Sequence, residues 1–377
     1  MGPAPRPDRA PLRVAYVGIR GLPAEYGGAE TAAREIYPRL AARGHDVVVY
    51  CRRHSVDPRQ RWYRGVRTVV LPSLDTKALD TITASLLAFA DLVVNDRADV
   101  VHAQSVGLAM LFPLFRAAGK RVVALIDGMD WTRAKWNRAE RLYLRLALGL
   151  TMRWADQVFV DSPAAQRFCR REFGRDLPLI AYGTEQRDDA GTGALRRHGL
   201  EPEKYFLFVG RLIPEKGVHH LLEAYRRVRT DFPLVIVGDN RYQPDYVQRL
   251  RDLADERVVF TGPQFGEAFW ELCGHCYVYV QPSEVEGTSP VVLQAMGSGR
   301  CVVVNGIEEN LDTVGDAGLA YFRNDTADLA ALLQELLEKP AWVRALGAAA
   351  RRRAREVYDW DTIADQFEEL FAAVAAR

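Results

Sequence analysis

The sequence has little sulfur, no excess of charge of one sign and no long apolar run. Five cysteines, Cys51, Cys169, Cys273, Cys276 and Cys301, are scattered over 377 residues. That is too sparse and irregular for a disulfide-stapled secreted domain, and it predicts a reducing, cytoplasmic setting. The one close pair, in Cys273-Gly-His-Cys276, resembles half of a zinc or redox site. With no second pair to complete it, the stretch reads as a helix-to-strand junction. Fifty Lys and Arg stand against forty-nine Asp and Glu, a net charge of +1. No global field therefore draws nucleic acid or an acidic partner, and recognition has to be local. The longest apolar stretch, Ile82 to Val94, is cut by Asp91 and is too short to cross a bilayer. The opening "MGPAPRPDRAP" lacks the apolar run of a signal peptide and reads as a flexible arm over residues 1–11.

What is present is an ordinary globular composition, 48% hydrophobic and 26% charged, in a chain long enough for two or three domains. Short β-branched runs alternate with helix-length segments. "RVAYVG", "HDVVVYC", "RTVVLP", "DVVHAQS", "RVVALID" and "QVFVDS" form one series, and "YFLFVG", "PLVIVGD", "RVVFTG", "YVYVQPS" and "RCVVVNG" a second. Continuous apolar strands separated by helices predict parallel sheets buried on both faces. The polar stretch "GTEQRDDAGTGALRRHG" lies between the series and places a domain join near Gly183 to Thr192. The expected architecture is α/β, with two doubly wound domains facing each other. The final "RAREVYDWDTIADQFEELFAAV" reads as a pair of amphipathic helices, with Asp359 or Asp361 available as a cap.

Ligands of open α/β sheets sit beyond the C-terminal ends of strands, so the residues that follow each run carry the chemistry. "GRLIPEKG" follows the strand "YFLFVG". Arg211 leaves the strand end, Pro214 and Gly217 shape a turn, and Lys216 points back over the same crevice. Two cations at one strand end suit a diphosphate, the guanidinium forking across oxygens and the ammonium acting as a point charge. In "EVEGTSPVVLQAM", residues 284–296, Ser289 and Pro290 carry a helix-start signal, and the Ser hydroxyl is expected to cap the first turn. Free N–H groups and the positive end of the dipole favour a phosphate there, and Gly287 lets the backbone come close. Gln294 lies one turn further in, about 6 Å along the axis. From there its amide can meet the ribose hydroxyls of a nucleotide whose diphosphate rests on the helix start, while Glu286 faces the group beyond the second phosphate. No His/Asp/Glu cluster shows metal-ligand spacing in the sequence, so no metal is expected. His102, in "VVHAQS", reads as a satisfied polar residue at a strand end rather than a base.

Together "GRLIPEKG", "EVEGTSPVVLQAM" and "GLPAEYGGAE" resemble a retaining family 4 glycosyltransferase of the GT-B fold. More narrowly, "IRGLPAEYGGAET", "DGMDWTRAKW" and "GDAGLAYF" resemble a bacterial subgroup often labelled rhamnosyltransferases. The match runs from about Val14 to Phe367. The resemblance implies two Rossmann-like domains facing a central cleft, with an acceptor-binding domain over residues 12–184 and a nucleotide-sugar-binding domain over 185–357. A C-terminal helix over 358–377 would pack back on the first domain. It also implies transfer of a hexose or deoxyhexose from a UDP-, dTDP- or GDP-linked sugar to an acceptor hydroxyl with retention of configuration. The donor is a co-substrate, and no further cofactor is implied. By that resemblance Arg211 and Lys216 bind the diphosphate, with Gly210, Gly287, Thr288, Ser289 and Pro290 beside them. Gly27 and Gly28 form a glycine loop near the reacting sugar. Either Glu284 or Glu286 faces that sugar, and position 294 meets the ribose.

The chain departs from the family pattern at three places. Gln294 stands where the family's second Glu is usual, Asp127 stands where many members have His, and the narrower subgroup tends to carry Gly at the position of Glu286. Asp127 joins Arg211, Lys216 and Glu286 as a candidate catalytic residue. The loop from Asp127 to Trp136, with Trp131, Arg133 and Lys135, and Tyr26 near the glycine loop, are candidates for holding an acceptor sugar, a natural product or a lipid-linked saccharide. Aromatic and basic residues interleaved in this way also suit peripheral contact with an anionic membrane. Two other readings remain. One is a non-catalytic partner protein that keeps the nucleotide cleft, which Gln294 keeps open. The other is a nicotinamide dehydrogenase, against which "VGIRGLPAEYGG" lacks Gly-x-Gly-x-x-Gly.

Overall fold

The structure is a computed structural model of the chain and describes residues 10–23, 28–74, 76, 79–126, 138–187 and 190–377. Seven strands, β1 (Arg13–Val17), β2 (Asp46–Arg52), β3 (Trp62–Tyr63), β4 (Val66–Leu71), β5 (Val100–Ala103), β6 (Arg121–Ile126) and β7 (Gln157–Val160), form one sheet. Its order is β3-β4-β2-β1-β5-β6-β7, parallel except at one edge. The β-branched runs make strands because successive side chains drop into two different apolar layers. Val14 and Tyr16 of β1 join Val47 and Val49 of β2 on one face, while Ala15, Val17, Val48 and Tyr50 pack on the other. A sheet covered on both faces needs this continuous apolar pattern. Each Val or Phe buried in it contributes roughly 1.5–3 kcal/mol.

The antiparallel edge is absent from the sequence reading. Trp62 pairs with Arg67 and Tyr63 with Val66 across a turn at Arg64 and Gly65. Both turn residues have positive φ, 46° and 86°, the left-handed geometry that a two-residue hairpin loop requires. A strand of two residues carries no periodicity of its own.

The second sheet contains β8 (Phe206–Val209), β9 (Leu234–Val237), β10 (Val258–Gly262), β11 (Val278–Gln281), β12 (Cys301–Asn305) and β13 (Leu319–Tyr321), in the order β10-β9-β8-β11-β12-β13. All its pairings are parallel. The short β13 is likewise missing from the sequence reading. Phe206, Phe208, Ile236, Val280 and Val303 build the core of this unit with Leu221 and Tyr225 from one helix and Leu329 and Leu333 from another.

The chain divides into two compact units, one of Met1–Tyr182 with Trp360–Arg377 and one of Gly183–Asp359. The last helix, Trp360–Ala375, belongs to the first unit, where Trp360, Ile363, Phe367, Phe371 and Val374 enter the same apolar cluster as Val14 and Val47. Arg43 fastens that helix by pairing with Glu368 at 2.9 Å and with Asp365 at 2.8 Å. The Arg43 and Glu368 side chains are only 3% and 1% exposed. All five cysteines are free and buried. Cys273 lies in the last turn of the helix Gly266–Gly274 and Cys276 between that helix and β11, and burial pushes the Cys276 thiol up to about 12. A buried thiol kept protonated behaves as a packing residue rather than a reactive one.

Candidate active site

In the second unit the strand order reverses at one place. β8 continues to β9 on one side, while β11 pairs with β8 on the other, Phe206 opposite Val278 and Leu207 opposite Tyr279. Connections that diverge from adjacent strand ends leave a crevice, and the residues beyond β8 and β11 line it. They are the two segments that the sequence singles out.

Beyond β8 come Gly210, the exposed Arg211 and a single 3-10 turn, Pro214–Lys216, before the helix Val218–Tyr225. Two glycines allow the loops to approach so closely. A Cβ on Gly217, whose φ is +65°, would stand 2.1 Å from the Pro282 carbonyl oxygen, and one on Gly238 would stand 1.9 Å from that of Gly210. Beyond β11 the chain runs through Ser283, Glu284, Val285, Glu286, Gly287, Thr288 and Ser289 into the helix Pro290–Gly297. The two loops are tied directly. The Glu284 N–H donates to the Glu215 carbonyl at 2.9 Å, and the Lys216 ammonium donates to the Glu286 carboxylate. Glu286 also accepts from the buried Gln281 amide, whose own oxygen accepts from the Tyr279 hydroxyl. Lys216 and Glu286 are 18% and 9% exposed, so the pair sits in a largely dry crevice with its geometry set by neighbours.

Glu284 and Glu286 therefore part company. Glu286 turns in to Lys216, whereas Glu284 is exposed and pairs with His220 at 3.3 Å. Gln294 is half-buried on the helix Pro290–Gly297, and its side-chain amide has no protein partner among the described residues. The Arg211 guanidinium is likewise unpaired among them.

One expectation fails. Ser289 occupies the N-cap position with extended backbone, φ −77° and ψ 111°, and Pro290 opens the helix, but the Ser289 hydroxyl makes no cap hydrogen bond. The Ser289 carbonyl accepts the first intrahelical bond, from the Leu293 N–H at 3.2 Å. The first-turn N–H groups are thus not consumed by a hydroxyl, which leaves them better suited to an anion than a capped end would be.

In the first unit, Gly28 opens the helix Gly28–Ala42 beyond β1. Tyr26, Gly27, Asp127, Trp131, Arg133 and Lys135 lie outside the described residues. His102, at the end of β5, is wholly enclosed. Its Nδ1 lies 2.6 Å from the Tyr37 hydroxyl, and Tyr16, Phe159, Phe367 and Phe371 surround the ring. Its Nε2 has no partner, and a cavity of about 20 Å³ adjoins it, room for a single water. Burial pulls its pKa down to about 3, so the ring is neutral and has no access to substrate as a base.

The two units match two family profiles. Residues 27–182 match the "Glycosyl transferase 4-like domain" and residues 203–339 match "Glycosyl transferases group 1". The chain is a GT-B glycosyltransferase of this group 1, family 4 type. A glycogen synthase of Mycobacterium tuberculosis is 26% identical to this glycosyltransferase over 96% of its chain and 95% of the relative's. The alpha-D-kanosaminyltransferase of Streptomyces kanamyceticus is 30% identical over 64% of each chain. Among solved structures, a sucrose-phosphate synthase from Thermosynechococcus elongatus superposes with a TM-score of 0.80 at 22% identity, covering 98% of this chain and all of that one. Anabaena Alr3699/HepE in complex with UDP-glucose superposes with a TM-score of 0.79 at 18% identity, over 96% of this chain and all of that one. At these identities the structural likeness speaks to the fold.

Two features of the transferase escape sequence reasoning. His219, His220 and Glu284 bring a ligand atom each to within 4.8 Å of one another. Their separation in sequence hides this, and only the pairing of β8 with β11 assembles it. The helix Arg138–Trp154 exposes Leu142 and Leu146, each at 60%, beside the exposed Arg138, Arg141 and Arg145. A hydrophobic residue flanked by arginines on a helix looks like amphipathic packing until the fold shows which face is covered. No helix among the described residues is long and apolar enough to cross a membrane.

Proposed function

We propose that the protein transfers a hexose or deoxyhexose from a nucleoside diphosphate sugar to an acceptor hydroxyl with retention at the anomeric carbon. The observation that carries this reading is the Lys216–Glu286 pair at the strand-order reversal of the second unit, with Arg211 on the same loop as Lys216 and an uncapped helix start four residues after Glu286. As the sugar–phosphate bond breaks, negative charge grows on the leaving diphosphate. Arg211 and Lys216 offset it from one loop and the N–H groups of the helix Pro290–Gly297 from the other, in positions that need no reorganisation. Glu286, gripped by Lys216 and Gln281, is oriented to accept from sugar hydroxyls rather than to roam. Gln294, one turn in, offers its free amide to the ribose.

These groups already oppose the diphosphate charge, so transfer should proceed without a divalent metal. Retention follows from the likeness to family 4 and not from a residue arrangement. The acceptor falls to the first unit, whose exposed Leu142 and Leu146 with their flanking arginines suit a protein that works from the cytoplasm against an anionic membrane. The deciding experiment is incubation with UDP-, dTDP- and GDP-linked sugars, with the anomeric configuration of the product assigned by NMR. Donor turnover with retained configuration is expected. A donor that binds without turnover would instead favour a non-catalytic partner, the reading that Gln294 in place of the usual Glu keeps alive.

A further inference from the structure

Beside the Lys216–Glu286 pair lies a cluster of different chemistry. His219 and His220 open the helix Val218–Tyr225, and their rings stand 3.9 Å apart at 40°. Glu284 reaches them from the β11 loop, its carboxylate 3.3 Å from His220 Nε2. Adjacent helix residues ordinarily diverge, yet here two imidazoles and a carboxylate converge, with one ligand atom from each inside 4.8 Å. Tetrahedral coordination at about 2.1 Å sets ligand atoms about 3.4 Å apart. The His220–Glu284 distance already has that value, and small side-chain rotations bring in the third.

We infer that His219, His220 and Glu284 form a three-ligand site for a divalent transition metal of the zinc class, with the fourth position open to water. The surroundings support it in two ways. The His219 Nδ1 lies 2.9 Å from the Tyr246 hydroxyl, an outer partner that fixes the ring and leaves Nε2 as the nitrogen available to an ion. All three side chains keep some exposure, which provides an entry path.

Such an ion would clamp together the loops after β8 and β11, which carry Lys216 and Glu286. It would sit beside the donor crevice and bind no reacting group.

The test uses the full chain, stripped with chelator and titrated with cobalt(II), read by visible absorption, and with zinc(II), read by equilibrium dialysis. One equivalent per chain is expected, with affinity reduced tenfold or more in His219→Ala, His220→Ala and Glu284→Gln. Tyr246→Phe, which removes only the outer partner, should weaken binding by about tenfold. Glu284 is exposed, so Glu284→Gln keeps its fold and serves if a histidine variant does not; circular dichroism of each stripped variant checks this. Absence of stoichiometric binding by the wild type, or binding that Glu284→Gln and Tyr246→Phe leave undiminished, would overturn the site. Metal is read directly, so neither outcome depends on whether the glycosyl-transfer reading holds.

Discussion

The two units share one plan and use it oppositely. Each sheet reverses its strand order beside its first strand, between β1 and β5 in one and between β8 and β11 in the other. At the end of β5 the first unit seals His102 inside a ring of aromatic side chains drawn partly from the final helix. Beyond β8 and β11 the second unit leaves a paired Lys216 and Glu286, an exposed Arg211 and an uncapped helix start. Topology supplies a crevice in both places. Whether it becomes a site or a piece of core depends on the residues delivered there: rings that exclude water, or charges held in place by neighbours.

This contrast predicts where mutations act. The largest effect belongs to the sealed end: Phe367→Ala should cost about 3–5 kcal/mol of stability, seen as a lower denaturant midpoint. The enclosed His102 adds a pH signature. Its pKa falls from 6.5 to about 3 in the folded state. The unfolded chain thus binds the proton more readily, and the contribution to stability is present above about pH 6.5 and is lost as pH falls towards 3. His102→Phe should flatten that acid limb of a midpoint-versus-pH curve, and an unchanged limb would mean that another group produces it.

At the open end the order of effects inverts. Lys216→Ala and Arg211→Ala should each slow turnover tenfold to hundredfold, about 1.5–3 kcal/mol for a lost charge-assisted contact; Arg211→Ala should leave the melting temperature little changed, while Lys216→Ala should also lower it by leaving Glu286 without its cation. Wild-type rates in either variant would sink the diphosphate role. Smaller still is the change at the ribose position. Gln294→Glu, which offers two charged acceptor oxygens in place of one neutral one, should tighten donor binding by about 1 kcal/mol in calorimetric titration. Gln294→Ala should weaken it, and equal affinities in both would remove this residue from the nucleotide. The smallest expected effect is at the metal: turnover should persist in EDTA, because the inferred ion binds no reacting group and the two loops stay tied by Lys216–Glu286 and by the Glu284 N–H on the Glu215 carbonyl.

Much of this was legible in the sequence because continuous β-branched runs have one physical solution, a parallel strand buried on both faces. "YFLFVG" and "YVYVQPS" showed where the loops begin, and so singled out the segments that carry Arg211, Lys216 and Glu286; the contact of Lys216 with Glu286 needed the pairing of β8 with β11. What escaped had no local signal. The Trp62–Tyr63 hairpin arm is too short for periodicity. The Ser289 hydroxyl had the right type and position for a cap, but its use depends on rotamer and surroundings that the chain order does not encode. Glu284 could not be assigned to His219 and His220 until β8 and β11 were known to be neighbours.

The return of the final helix to the first unit has a consequence for how the chain can be rearranged. The second unit is an insertion: Gly183–Asp359 leaves and re-enters a body made from both ends of the sequence. Its doorway is narrow, since Thr184 and Asp359 form a parallel bridge and the Thr184 N–H donates to the Tyr358 carbonyl at 2.7 Å. A segment whose two ends are hydrogen-bonded neighbours is a cassette. Another α/β module could be exchanged through the same doorway, and new termini opened in one of its exposed loops, without cutting the first unit's core.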